Sequence, residues 1–289
     1  MVTFANAKIN LGLNIVRRRP DGYHDLETIF YPAGKGCGTP GNPGNLCDII
    51  EITPSDSDKL QQRGFIADCD PQSNLVMKAL RLFREEAAKG GVSLPPQNIT
   101  LEKHIPFGAG IGGGSADATA TLTTLNAICG NIFDDKQLCA MANRLGADCP
   151  FFVVNKPVFA QGTGELFTPL DLDLSDYWLA LVKPDVSIST REAFSCVTPR
   201  QPEIPLTEIV RLPVDQWRDK MVNDFEVSAF TRHPELRRIK EGLYANGAVY
   251  ASMSGSGSSF YGIFSSMEEA KKAANDSGCP YAGVTRMLR

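Results

Sequence analysis

Apolar residues recur along this chain with two different periods, and the switches between them predict most of its elements. Ile9 to Val16 and Leu26 to Tyr31 are apolar, β-prone runs of strand length. Between them Arg17-Arg18-Arg19 leads into Pro20-Asp21-Gly22, a turn signal, so the two runs are expected to pair as a hairpin. Ala33 to Asn45, rich in Gly and Pro, reads as a loop, and Asp48 to Thr53 as a short strand. The period then lengthens: Leu75, Val76, Ala79, Leu80 and Phe83 form one helical stripe after Pro71-Gln72-Ser73, with Lys78, Arg81 and Arg84 outside it. Ile99 to Glu102 returns to strand. A helix is expected from Ser115, its cap, with Ala118, Leu122, Leu125 and Ile128 inward, and another from Asp134 to Leu145, stopped at Gly146. Phe151 to Val154, bounded by Pro150 and Pro157, reads as a strand.

Short acidic turns from Gly164 to Asp176 mark the expected boundary between two domains, 1–165 and 166–289. Beyond it the pattern predicts a strand over Trp178 to Val182 and a polar stretch from Ser187 to Glu208. Helices follow from about Asn223 and from Glu235 to Tyr244, then strands through Val249 and Ala251 and over Ser259 to Phe264. A helix capped by Ser266, with Glu269 three residues on, and a strand from Gly283 to Leu288 close the chain. No repeat or low-complexity segment interrupts it. Strands separated by helices in this order indicate an α+β class.

Composition narrows the functions. The chain has 289 residues, 43% of them apolar, enough to bury a full core. Lys and Arg number 29 against 33 Asp and Glu, a formal charge of -4, so no global field draws a nucleic-acid backbone, and an anion site must be built locally. No run of eighteen apolar residues occurs, no signal segment is evident, and a soluble cytoplasmic protein is expected. Eight cysteines without a C-x-x-C pair, beside three histidines, make poor zinc spacing, and reduced, mostly buried thiols are expected.

The densest chemical signal is Pro106-Phe107-Gly108-Ala109-Gly110-Ile111-Gly112-Gly113-Gly114-Ser115-Ala116-Asp117. Glycines let successive backbone N–H groups converge on anionic oxygens, and the helix that follows presents the positive end of its dipole to the same place. No lysine precedes Ser115, so this is not the Walker pattern, and it lacks the strand-to-helix setting of the dinucleotide fingerprint.

Four further segments accompany that loop: Ala7-Lys8-Ile9-Asn10-Leu11, Arg19-Pro20-Asp21-Gly22-Tyr23-His24, Leu145-Gly146-Ala147-Asp148-Cys149-Pro150-Phe151-Phe152 and Ser254-Gly255-Ser256-Gly257-Ser258. Together they resemble the galactokinase, homoserine kinase, mevalonate kinase and phosphomevalonate kinase superfamily. Within it they are most similar to the branch acting on 4-diphosphocytidyl-2-C-methyl-D-erythritol, which the Arg-Pro-Asp-Gly-Tyr-His segment separates from the mevalonate and homoserine kinases. The resemblance implies the two-domain fold of that superfamily, with an N-terminal domain like the second domain of ribosomal protein S5 and a C-terminal ferredoxin-like α/β sandwich.

It also implies roles. Asp148 matches the catalytic aspartate and Lys8 the lysine beside it. For ATP, the loop residues Pro106, Gly108, Ala109, Gly110, Ile111, Gly112, Gly113, Gly114 and Ser115 are expected to hold the phosphates, and Asn74 and Lys103 match positions near the adenosine. For the small-molecule substrate, Asn10, Tyr23 and His24 match residues at the cytidine end, with Thr190 and Phe194 as a far wall. Gly255, Ser256 and Gly257 are expected to approach the phosphates or the reacting end of the substrate. Mg2+ is implied by ATP, although its protein ligands are not evident; no nucleic-acid or membrane partner is expected. Two alternatives stay open: a mevalonate- or homoserine-type kinase, for which Tyr23, His24 and Phe194 have no use, and an inactive nucleotide-binding regulator. Surface readings also stand for Lys8 on an edge strand, for Asp148 in a turn and for Lys103 paired with Glu102.

Overall fold

The computed structural model describes residues 1–34, 46–66 and 70–287. In chain order the elements are β1 (Val2–Arg18), β2 (His24–Ala33), β3 (Cys47–Pro54), β4 (Lys59–Gly64), α1 (Leu75–Lys89), β5 (Gln97–Lys103), α2 (Gly113–Ile128), α3 (Asp135–Asn143) and α4 (Cys149–Val154). There follow β6 (Val158–Gln161), β7 (Leu166–Pro169), β8 (Trp178–Lys183), α5 (Thr190–Ser195), α6 (Leu206–Ile209), α7 (Phe225–Arg232) and α8 (Glu235–Ala245). The last are β9 (Tyr250–Met253), β10 (Phe260–Phe264), α9 (Met267–Asp276) and β11 (Tyr281–Arg286). By compactness the chain divides into two units, each discontinuous in sequence. One comprises Met1–Ala7, Cys47–Phe107 and Gly112–Asn155; the other comprises Lys8–Leu46, Gly108–Ile111 and Lys156–Arg289.

In the first unit the strands run in the order β4-β5-β3-β1. β3 lies antiparallel to both β1 and β5, with Ala5 opposite Asp48 and Ile50 opposite Leu101, while β4 runs parallel to β5. Alternation in β5 turns Ile99 and Leu101 into the core, where they meet Ile50 and Ile52 and the apolar faces of α1, α2 and α3. At about 25 cal/mol per Å2 of apolar surface removed from water, side chains such as Leu80, Phe83 and Leu122 supply most of the stability of this layer. Asn74 caps α1 through its Oδ1, and Asp134 caps α3 in a capping box with Gln137.

Phe151 to Val154 lies in α4 and not in a strand. A four-residue apolar run carries no usable period, and Pro150 stands at the helix start, where its missing N–H costs nothing. The turn ends at Asn155, left-handed at φ 47°, whose N–H reaches Phe151 O at 2.7 Å. Nor does Ser115 cap α2: the helix begins two residues earlier, with Gly112 as its N-cap.

In the second unit β1, β2, β6 and β7 follow one another in a sheet, and a separate antiparallel sheet has the order β11-β8-β10-β9. Ranked along the sequence, that order is 4-1-3-2, the split βαβ arrangement of a ferredoxin-like layer. Val182, Ala180, Phe260 and Phe264 form a core with Leu236 and Leu243 of α8 and Ala270 and Ala273 of α9. Ser266 caps α9, its Oγ accepting from Glu269 N at 3.2 Å. No helix among the described residues is long and apolar enough to cross a membrane.

Among the described cysteines, Cys129, Cys139, Cys149, Cys196 and Cys279 are free, whereas Cys47 is disulfide-bonded, a correction to the expectation of reduced thiols. Size and spacing argue against a framework of bridges and say nothing about a single one. Cys37, Cys69, most of the expected 33–45 loop and Leu288 lie outside the described residues.

Candidate active site

In the first unit the site begins where β5 ends. Lys103 is 1% exposed, and its ammonium is held between Asp48, to which it donates, and Asp117 Oδ2 at 2.9 Å. Asp48, fully buried in β3, also accepts on Oδ1 from the backbone N–H of His104 at 2.6 Å and of Ile105 at 2.8 Å. A surface pair between Lys103 and Glu102 does not form; Glu102 lies 3.2 Å from His104 instead. Burial opposes the charge on Lys103, but the two carboxylates overcome it and hold its pKa above the ordinary lysine value. Burial drives Asp117 well above the usual carboxylate range, with Lys103 opposing and Asp48 reinforcing the shift. The second Asp117 oxygen, Oδ1, is buried without a hydrogen-bond partner among the described residues.

The glycine segment enters α2 with Gly112 at φ 72° and no side-chain cap. Helix geometry leaves the first N–H groups of α2 without intrahelical partners, so its positive end is open to an anion. Gly113 is required for space: a Cβ there would stand 2.8 Å from Ile105 Cγ2 and 3.1 Å from Lys103 Nζ. Ser115 Oγ lies beside Gly146 and hydrogen-bonds Cys149, whose thiol burial pushes up to about 11. Asp148, half-buried, is the residue from which α4 starts, and its side chain does not cap that helix. Asn74 is engaged by its own helix, its Oδ1 accepting from Val76 N at 2.9 Å and its Nδ2 donating to Gln62 at 3.4 Å.

In the second unit Lys8 and Asn10 share one face of β1, since side chains two residues apart point the same way. Lys8 is buried, not at a surface edge. Its Nζ donates to Asn10 Oδ1 at 2.6 Å and lies 4.5 Å from the centroid of the Phe30 ring. Asn10 Nδ2 donates to Thr28 Oγ1 at 3.0 Å, and Thr28 to Gly12 O at 2.5 Å. The stretch Gly108–Ile111 is fixed beside this relay, Lys8 N donating to Ile111 O at 3.0 Å. Ser254 ties the two together: it accepts from Asn10 N at 3.3 Å and donates to Gly110 O at 3.0 Å. Gly110, at φ 73°, comes so close that a Cβ would stand 2.2 Å from Ser254 O, which only glycine permits. Lys8, Asn10, Gly110, Ile111 and the Ser254–Gly257 turn are thus one cluster.

The aromatic residues form a second cluster in the same unit. His24 stacks on Phe194, centroids 4.8 Å apart at 20°, and Phe225 meets the back of Phe194 edge-on at 4.8 Å. Tyr23 is outside this stack and 66% exposed, while Thr190 is exposed in the first turn of α5. Asn223, not foreseen, donates to Met253 O at 2.9 Å and Gly255 O at 2.8 Å and accepts from Phe225 N, linking the glycine turn to the aromatic wall. Its signal was slight, a polar residue just ahead of a helix. Asp48 was also missed, an acid at the head of an apolar strand.

Comparison with known proteins identifies the family. The GHMP kinases N terminal domain family matches residues 74–156, and the GHMP kinases C terminal family matches residues 208–278. A 4-diphosphocytidyl-2-C-methyl-D-erythritol kinase of Parabacteroides distasonis is 52% identical over 279 residues, 96% of this chain and 97% of that protein. A protein of the same name from Bacteroides fragilis is 50% identical, covering 94% of this chain and 95% of its own length. The crystal structure of a 4-(cytidine 5'-diphospho)-2C-methyl-D-erythritol kinase superposes with a TM-score of 0.80 at 33% identity, covering 98% of each chain. Near-complete coverage at such identity, on a two-domain α+β fold, means that this chain belongs to the GHMP kinase family, among its 4-diphosphocytidyl-2-C-methyl-D-erythritol kinases.

Proposed function

We propose that this chain transfers the γ-phosphoryl group of ATP to the 2-hydroxyl of 4-diphosphocytidyl-2-C-methyl-D-erythritol, in the non-mevalonate route to isoprenoid precursors, as a cytoplasmic enzyme. The observation that carries the kinase reading is the open end of α2, where glycines and an absent side-chain cap leave N–H groups and the helix dipole for a polyphosphate. Phosphoryl transfer asks a protein for positioning and for positive surroundings more than for covalent chemistry. Pro106 and the backbone from Gly108 to Ser115 bind the phosphates, and Asn74 and Lys103 stand at the ATP side. Asp148 takes the proton of the acceptor hydroxyl, leaving its oxygen free to attack phosphorus as the bond to ADP breaks. Lys8, held by Asn10 and Phe30, is the lysine that the resemblance assigns to the same step, as the cation that orients the hydroxyl.

Magnesium, when bound with ATP, offsets the charge on the phosphates. The hydroxyl of Ser115 is a hard oxygen suited to it. Among the described residues no group of three or more His, Cys, Asp or Glu side chains could hold a metal, and Ser115 is the side chain that would reach it. For the substrate, His24 and Phe194 offer aromatic faces for the cytosine, with Tyr23 and Thr190 at the margin and Asn10 and Gly255 to Gly257 toward the reacting end.

The test is ADP release measured with Mg–ATP and each acceptor in turn. Turnover on the cytidine substrate, with none on mevalonate or homoserine, is expected. A preference for either of those acceptors overturns the assignment, and ATP binding without consumption on any of them would make the chain a regulator.

A further inference from the structure

We infer that Asp48, Lys103 and Asp117 form an ionic brace that fixes both ends of the glycine loop, with Asp48 and Lys103 acting as positioning residues for ATP. The inference rests on the reading that this loop holds the phosphates of ATP, and it gives work to Asp48 and Asp117, which have no part in the proposed chemistry, and a positioning role to the Lys103 ammonium. The loop leaves β5 at Lys103 and enters α2 at Gly113. On the leaving side one carboxylate, Asp48, gathers the N–H groups of His104 and Ile105 on one oxygen and the Lys103 ammonium on the other. On the entering side the same ammonium reaches Asp117 in the first turns of α2, 2.9 Å away, and lies against Gly113. A single cation therefore joins the last residue of the strand to the first turns of the helix across the intervening glycines.

Physical chemistry explains why such an arrangement needs all three groups. A lone ammonium beneath a helix N-terminus is opposed both by burial and by the positive end of the dipole. Two carboxylates reverse that balance, and the lysine stays charged. Held between two acids, the ammonium adds no net positive charge behind the N–H groups, and what the brace gives the loop is fixed geometry. Gly113 makes room for the ammonium: a Cβ at that position would crowd Lys103 Nζ and Ile105 Cγ2 together. Glycine-rich backbone is by itself the most permissive in the chain, and convergence of its N–H groups on an anion requires that its ends be held.

The experiment measures the dissociation constants of a non-hydrolysable Mg–ATP analogue and of the cytidine substrate, separately, by calorimetry on the full chain and on Asp48→Asn and Lys103→Met. In Asp48→Asn the amide oxygen can still accept from His104 and Ile105, but its NH2 group faces the ammonium and the bridge is lost. Weakening of the ATP analogue by about tenfold or more is expected in both variants, with the cytidine substrate held within about twofold, because misplacement near a binding loop is paid selectively by the ligand it positions. Unchanged affinity for the ATP analogue in either folded variant overturns the brace, and so does equal weakening of both ligands, which a purely structural role would produce. Should Asp48→Asn not fold, Asp117→Asn decides in its place: it takes one carboxylate from the ammonium and leaves Asp48 on its two N–H groups. Failure of the parent protein to bind the ATP analogue would instead strike the functional reading.

Discussion

Burying a lysine ammonium requires partners that stand in for water, and Lys8 and Lys103 find them differently. Lys8 leans on an amide oxygen and an aromatic face, while Lys103 lies between two carboxylates. Lys8 was legible because Ala7-Lys8-Ile9-Asn10 is a motif whose meaning is local. Asp48 was not, since its partners lie 55 to 57 residues away, and an acid at the head of an apolar strand carries no sign of them. Asp148 yields the sharpest prediction at this scale. Asp148→Asn keeps the shape and removes the proton acceptor, so kcat is expected to fall about 10²- to 10⁴-fold, with both ligand affinities retained. A kcat within about threefold of the parent would assign the proton to another acceptor, because loss of a general base is worth more than that.

Elements were legible where their period was long enough to be counted. The stripe of α1, the start of α3 at Asp134 and the capping pair of α9 stand where the pattern places them, whereas four apolar residues before Asn155 could not distinguish α4 from a strand. The short β4, β6 and β7 were missed for the same reason, being polar or only four residues long. Between elements, one acid again does the joining. Asp58, just ahead of β4, takes two bonds from Arg84 of α1, at 2.5 and 2.8 Å, and one from Gln97 N at the start of β5, at 2.9 Å. The Arg84 hydrogen bond, against an opposing effect of burial and with help from Gln97, holds its pKa below the model-peptide value of 3.8. A carboxyl whose folded pKa is depressed contributes its full stabilisation above 3.8 and loses it as the pH falls through that value toward the lower folded one. Asp58→Asn is therefore expected to cost about 1–2 kcal/mol in urea unfolding at pH 7. The difference from the parent should shrink by about pH 3. An equal loss at both pH values would mean that the shape of the acceptor matters and its charge does not.

At the scale of the whole molecule, the alternation of strands and helices suffices for an α+β class, and the joint presence of five motifs for the kinase family. The division of the chain into compact units is a different matter. Strand β1 is a single uninterrupted run, yet its first residues pack with β3 in one unit, and Lys8 onward belongs to the other. Nothing in the apolar pattern of a strand marks such a change of allegiance. Substrate choice is also a property of the molecule as a whole, since the aromatic cluster proposed above for the cytosine is remote in sequence from Asp148. His24 and Phe194 already face each other at 4.8 Å, with Phe225 bracing the latter, so the aromatic platform is preformed. Base stacking on such a surface is worth about 1–3 kcal/mol, and a pairing edge left unsatisfied costs about 1–3 kcal/mol more. The truncated acceptor 2-C-methyl-D-erythritol 4-phosphate keeps the reacting hydroxyl and loses the cytidine. With the remote binding energy gone, kcat/KM is expected to fall by at least about 10²-fold, while KM for ATP stays near its value with the full substrate. Comparable kcat/KM on the two acceptors would mean that the aromatic cluster does not select the substrate, and the cytidine requirement would have to be sought elsewhere in the chain.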